Sequence, residues 1–318
     1  MPAKPSQSSP SVPSGGPGAG LSSKYLRLDE LRWLRNLFFA SRHIVEGQYA
    51  GRHSSARRGH SVEFSDYRQY MPGDEPTDID WKVYARSDRL FVKLFEQQSD
   101  MVVNVLVDAS ASMGYAGQDD RGYSKFDHAC MMATAIAFLT VKQQDKVSFA
   151  VARDGAQSFL RPYGSFKHFT DVLRTMERTR PSGEARLPEA LRTLAGLIGR
   201  RGLLVVFTDL LEDLSATFDA LSIFTHRGGE VIVFQVLHAD ELHLPRLNNA
   251  LFVDSETRDR VGLNVEDVRA EYERTLREFL ERCSAGCKGR GMDYNLVPTD
   301  QPYTQALRDY LFRRASIA

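Results

Sequence analysis

The sequence predicts an α/β fold, a mostly parallel sheet covered by helices on both faces. Three observations carry this expectation. Near-continuous apolar runs at 102–107 (VVNVLV), 202–208 (GLLVVFT) and 231–237 (VIVFQVL) have the composition of strands buried on both faces. Segments of helical periodicity separate these runs. Alternation of strand and helix builds a parallel sheet with crossovers on its faces.

Length and charge fit that class. The 318 residues allow one large domain or two ordinary ones. The 41 basic side chains balance the 41 acidic ones, which argues against nucleic-acid binding through the overall field. The three cysteines, Cys130, Cys283 and Cys287, cannot build a disulfide framework and point to a reducing cytoplasm. Cys283 and Cys287 lack the second ligand pair of a zinc site and read as the end of a helix. No apolar run approaches the ~20 residues of a membrane helix, and no apolar core follows Lys4, so neither a direct membrane span nor a signal peptide is expected.

The chain divides in order. Five Pro, five Ser and four Gly in residues 1–20 predict a disordered tail over 1–24. A smaller N-terminal block follows over 25–100. Leu28, Leu31, Trp33, Leu34, Leu37 and Phe38 predict a helix over 28–46, stopped at Gly47. The stretch 51–61, with Arg52, Arg57 and Arg58, reads as a solvated loop, the alternative being an anion or nucleic-acid patch. Six acidic residues from Glu63 to Asp80 largely cancel it. Pro72-Gly73-Asp74 and Pro76 mark turns, and Arg89 to Phe95 alternates like a strand.

The main domain is expected over 101–318. Its strand from Val102 ends in Asp108, and Phe126 to Gln144 is helical. Val147–Ala152 and Gln157–Leu160 flank Asp154-Gly155 as a hairpin. Helices are expected over Phe166–Arg178, Leu187–Ile198, Ser215–Phe224, Asn264–Arg282 and Tyr303–Arg313, with a strand over Met292–Val297. Ala250–Val253 suggests an insertion near 240–263, forming a β-rich lobe together with 63–98.

Two buried strands end in carboxylates, Asp108 and Asp209. If the strands are adjacent, both groups lie at one sheet edge, beyond the carboxyl ends where ligands of such sheets bind. Asp108, Ser110 and Ser112 stand at alternate positions, so one carboxylate and two hydroxyls can converge. With Asp209 they make an all-oxygen donor set suited to Mg2+ or Mn2+. The competing reading is a helix-capping Asp and Ser pair. His238 and His243 beside Asp240 and Glu241 are a weaker metal candidate, set against a solvated loop.

The D-x-S-x-S run at 108–112, with a later strand ending Thr208-Asp209, resembles the metal-ion-dependent adhesion site of von Willebrand factor A domains over about 102–240. That resemblance implies Asp108, Ser110, Ser112 and Asp209 as ligands. It also implies a threonine in the loop that here reads Gly183-Glu184-Ala185-Arg186-Leu187, where Ala185 stands in its place. Leu210 replaces the glycine that commonly follows the second aspartate. Glu184 or Ser182 could supply the missing oxygen, or the Arg186 guanidinium could replace the metal's charge.

A second set of motifs narrows the family: Arg68, Tyr70, Pro72, Gly73 and Asp74, then Ile79-Asp80-Trp81, then Ala85-Arg86, ahead of D-x-S-x-S-M. Together with Arg57-Arg58-Gly59 and the tail Val297–Pro302, they resemble bacterial domain-of-unknown-function family fifty-eight over about 25–315. The resemblance implies a non-enzymatic adaptor for a MoxR-type AAA+ ATPase, remodelling or maturing a client protein that the sequence does not name. Physically, Gly73 supplies an unusual backbone angle. Asp74 and Asp80 cap turns or pair with Arg68 and Arg86, and Trp81 is expected to anchor the block in the core. The alternative for these residues, Arg58 included, is a partner-docking surface. The alternative function is a metal-dependent hydrolase or phosphoryl-transfer enzyme using Asp108 and Asp209. Against it, Ser110 stands where a D-x-D site needs a second aspartate, and neither a G-x-S-x-G elbow nor a P-loop is present.

Overall fold

A computed structural model of the protein describes residues 23–26, 62–70, 79–87, 89–97, 101–117, 122–256 and 258–317. Residues 1–22 of the predicted tail, the helix over 28–46, the 51–61 stretch and the Pro72-Gly73-Asp74 turn lie outside the described residues. The tail's last two residues are held rather than disordered, the Ser23 hydroxyl and the Lys24 N–H both donating to Glu177 Oε1. The elements in chain order are β1 (Val62–Gln69), α1 (Trp81–Ser87), β2 (Phe91–Gln97), β3 (Val102–Asp108), α2 (Lys125–Lys142), β4 (Lys146–Ala152), β5 (Ala156–Tyr163), α3 (Phe166–Arg178) and α4 (Leu187–Leu197). They continue with β6 (Leu203–Thr208), α5 (Leu214–His226), β7 (Glu230–Leu237), α6 (Ala239–Leu242), β8 (Asn249–Val253), β9 (Arg260–Asn264), α7 (Val265–Lys288), β10 (Asp293–Pro298) and α8 (Tyr303–Ile317).

The central sheet has six strands in the order β10-β7-β6-β3-β4-β5. All neighbours pair in parallel except β4 and β5, which form the antiparallel hairpin read from Asp154-Gly155. β3 lies between β4 and β6, with Val105 opposite both Phe149 and Val205. This register brings the ends of β3 and β6 to the same edge.

Alternate side chains of each strand feed two apolar layers. Val103, Val105, Val107, Phe207 and Phe234 pack with α2, α3 and α8 on one face. Leu106, Leu204, Val206 and Val233 pack with α4, α5 and α7 on the other. α2 is buried almost all round, as its run of Ala, Met, Thr and Ile allows. Cys130 lies in the first layer, and Cys283 and Cys287 in the second. Among the described residues no helix is long and apolar enough to cross a membrane.

α7 runs to Lys288, beyond the Arg282 end expected from periodicity. Its Gly286 has a packing reason: a Cβ there would stand 2.3 Å from the Phe218 ring of α5. Gly202, entering β6, has φ +141, and a Cβ would meet the Val102 carbonyl oxygen at 2.7 Å.

One expectation is corrected. Trp81 is not a core anchor. It opens α1 with 59% of its surface exposed and meets the Tyr84 ring edge-on at 6.2 Å. The buried residues here are Ile79, which bridges to Val92 of β2, and Asp80. Capping decides this arrangement: Asp80 Oδ1 accepts the N–H groups of Lys82 (2.9 Å) and Val83 (3.3 Å), turning the next side chain outward. β1 pairs with β2, and β8 with β9, each as a two-stranded sheet.

Candidate functional site

Asp108 ends β3, and Asp209 follows the last residue of β6. Both are buried. Asp108 Oδ1 accepts the Ser110 backbone N–H at 2.8 Å, the local turn expected of an aspartate two residues before it. Its Oδ2 accepts the Thr208 hydroxyl at 2.7 Å. Thr208 Oγ1 in turn accepts the Leu210 N–H at 3.0 Å. Leu210 has φ +58, the left-handed backbone that explains why glycine commonly occupies this position. Its buried side chain packs in the second layer, a gain glycine would lack.

Ser110 Oγ and Ser112 Oγ are 3.0 Å apart, and the Ser112 hydroxyl donates to Asp209 Oδ2 at 2.6 Å. The Asp209 carbonyl accepts from Gln235 Nε2 at 2.8 Å, and the Tyr294 hydroxyl donates to Gln235 Oε1 at 2.6 Å. The sequence-predicted donors Asp108, Ser110, Ser112 and Asp209 therefore meet in one hydrogen-bonded cluster. Burial, then the nearby Asp209 charge, push the Asp108 carboxyl up to about 7, against the bonds from Ser110 and Thr208.

The loop before α4 is stitched to this turn by backbone bonds: Ala111 N–H donates to the Gly183 carbonyl at 2.8 Å, and Ser182 N–H to the Ala109 carbonyl at 3.0 Å. Ala185 is fully buried and brings only a methyl group. Arg186, at φ +50, stands before α4 with its side chain exposed near Glu184 at 3.8 Å. The guanidinium considered as a substitute for the metal's charge thus faces solvent.

A different cation occupies the cluster. Lys125, the first residue of α2, is fully buried. Its Nζ donates to Asp209 Oδ2 at 2.9 Å and to Glu241 Oε1 at 2.6 Å. Glu241 is fixed in turn, its Oε2 accepting the His238 N–H at 2.7 Å and its carbonyl the Tyr272 hydroxyl at 2.5 Å. Burial pulls the Lys125 pKa down, but Asp209 and Glu241 outweigh it and hold the ammonium above its ordinary value. His238 is spent locally: its Nδ1 accepts the Asp240 N–H at 3.1 Å and its ring meets Tyr115 edge-on at 5.0 Å.

The groups as they stand do not fit a divalent ion. Mg2+ wants about six oxygens near 2.1 Å in octahedral array. Here the third hydroxyl is missing at Ala185, and both Asp108 oxygens accept hydrogen bonds. Asp209 Oδ2 already holds an ammonium. A dication on that oxygen would sit about 4 Å from Nζ, where repulsion is roughly twice the ~4 kcal/mol of two unit charges near a protein surface.

Beside the cluster runs a groove of about 870 Å3. Its walls are the Ala111–Tyr115 turn, the Pro181–Gly183 loop, Tyr272 of α7 and residues Ala250–Val253 of β8. Leu251 and Val253 on β8, and Val261 and Leu263 on β9, are exposed.

Of the remaining predicted residues, Asp80 caps α1, while Trp81 and Arg86 lie on its exposed surface. Arg68 is paired in register with Val92. Arg58, Gly73 and Asp74 fall outside the described residues. Sequence reasoning missed Lys125, and named Glu241 only beside the His238 and His243 metal candidate. The signal for Lys125 was present: a cation in the first turn of a helix opposes the helix dipole, and here it precedes an apolar run, so it needs buried acids as partners.

Fold and edge cluster together define a von Willebrand factor A-like α/β protein. The chain belongs to the family described as "Protein of unknown function DUF58", which matches residues 66–281. This bears out the resemblance carried by the motifs. Among curated relatives, uncharacterized protein Rv1480 of Mycobacterium tuberculosis is 26% identical over 228 residues, covering 70% of each chain. Among solved structures, the conserved hypothetical protein BatB of Bacteroides thetaiotaomicron aligns with TM-score 0.44 at 15% identity, covering 68% of this chain and 98% of that one. The SpRpn10 VWA domain aligns with TM-score 0.41 at 11% identity, covering 67% of this chain and 95% of that one.

Proposed function

We propose that this chain is a non-enzymatic, cytoplasmic protein-binding adaptor that works with a MoxR-type AAA+ ATPase in remodelling or maturing other proteins. One observation supports a binding role most directly. The groove beside the Asp108 cluster is walled on one side by Ala250–Val253 of β8, whose Leu251 and Val253 are exposed on one face of the ribbon. Leu251 and Val253 stand two apart on one strand and so share a face, and exposed apolar side chains beside a groove are characteristic of an interaction site. The ATPase as partner comes from family resemblance. The ribbon and the groove then form the face on which ATPase or client docks, by apolar contact and hydrogen bonding rather than through a bridging metal.

The test uses the purified full chain and the MoxR-type ATPase of the same genome. Binding is followed by calorimetry, and the ATP hydrolysis rate is measured with and without the chain. The expected result is saturable binding that Leu251→Asp abolishes and chelator does not. Absence of both binding and any change in hydrolysis would refute the pairing. Binding unaffected by Leu251→Asp would refute the face.

A further inference from the structure

We infer that the Lys125 ammonium is the resident cation of this adhesion-type site, taking the place that a divalent metal occupies in proteins with the complete ligand set. The inference rests on the cluster's geometry. Lys125 Nζ lies 2.9 Å from Asp209 Oδ2 and 2.6 Å from Glu241 Oε1, with its side chain wholly out of solvent. Two partners of opposite charge satisfy it, the requirement for keeping a lysine buried and charged. The same Asp209 oxygen takes the Ser112 hydroxyl at 2.6 Å, so the ammonium is joined to both halves of the D-x-S-x-S and T-D pair.

Two departures from the complete site reinforce each other. Ala185 removes one neutral donor, which weakens any metal. Glu241 adds a carboxylate on the far side of Lys125, which strengthens the ammonium's hold. A positive charge in the cluster is therefore supplied from within the chain, set between the carboxylates of Asp209 and Glu241. β3, α2, β6 and α6 are tied to one point without an exchangeable ion. A site of this kind stays in one state whatever the metal concentration.

The test is a titration of the metal-stripped full chain with Mg2+ and with Mn2+, by calorimetry and thermal denaturation. Wild type is expected to give no saturable heat, and its midpoint is expected to be the same in Mn2+ and in chelator. Ala185→Thr, which restores the third hydroxyl and leaves Lys125 in place, is expected to behave as wild type. Lys125→Ala is expected to lower the midpoint by several degrees in chelator. The double variant Lys125→Ala/Ala185→Thr is expected to bind Mn2+ saturably and to regain stability with it. Saturable binding by wild type that Asp108→Ala removes would overturn the inference. So would a metal site created by Ala185→Thr alone, or a folded double variant that ignores Mn2+. If the lysine variants fail to fold, the wild-type and Ala185→Thr titrations still decide the matter.

Discussion

Thr208→Val replaces a fully buried hydroxyl by a methyl group of nearly the same shape. The hydroxyl does two jobs: it donates to Asp108 Oδ2 at 2.7 Å and accepts the Leu210 N–H at 3.0 Å. Valine leaves a buried carboxylate oxygen and a buried N–H without these partners. Each orphaned group costs about 1–3 kcal/mol. The extra buried carbon returns about 0.8 kcal/mol. The net loss expected is about 3 kcal/mol, read as a lower urea midpoint at unchanged slope, or as roughly 6–12 °C in Tm for a domain of this size. Thr208→Ser keeps the hydroxyl and loses only the methyl, so it should cost about 1 kcal/mol. The reasoning fails if valine lies within about 0.5 kcal/mol of wild type, or if serine and valine are equally damaging.

Three further outcomes follow from the same structure. Burial pulls His128 down to about 4 from its ordinary 6.5. The unfolded chain therefore takes up this proton first, and the associated stability, full above about pH 6.5, is lost as pH falls towards 4, about 3 kcal/mol in all. His128→Phe should flatten that part of the wild-type curve of unfolding free energy against pH, and an unchanged slope would contradict the assignment. Gly202→Ala forces a Cβ to within 2.7 Å of the Val102 carbonyl oxygen at φ +141, so a loss of about 2–4 kcal/mol is expected on thermal melting. Trp81→Ala should shift stability by less than about 0.5 kcal/mol, since most of its surface is already in water; a large loss would restore the core-anchor role.

Much of the fold was legible because its strands are buried on both faces. Three apolar runs became the adjacent strands β3, β6 and β7, and Asp154-Gly155 became the turn of the β4–β5 hairpin. The convergence of Asp108 with Asp209 was also legible, since strand ends share an edge once the strands are neighbours. Trp81 was misread because its size suggested burial, whereas the cap made by Asp80 set its direction. The ends of α7 were blurred by Gly286, a stop signal in isolation and a packing requirement against Phe218 in the fold. The Lys125–Glu241 contact spans 116 positions of sequence and joins two elements with no shared periodicity. Only the path of the chain after β7 brings it about.

The three cysteines give the molecule a built-in clock. Burial raises the Cys130 thiol well above its ordinary range, Cys283 to about 11 and Cys287 to about 12. At neutral pH almost none of each is thiolate, and the sulfur atoms lie beneath side chains, so an alkylating reagent waits for the protein to open. One thiol is on α2 and two are on α7, on opposite sides of the sheet. The order in which they are modified under mild denaturant therefore tells which covering of the sheet lifts first, with no probe added to the chain.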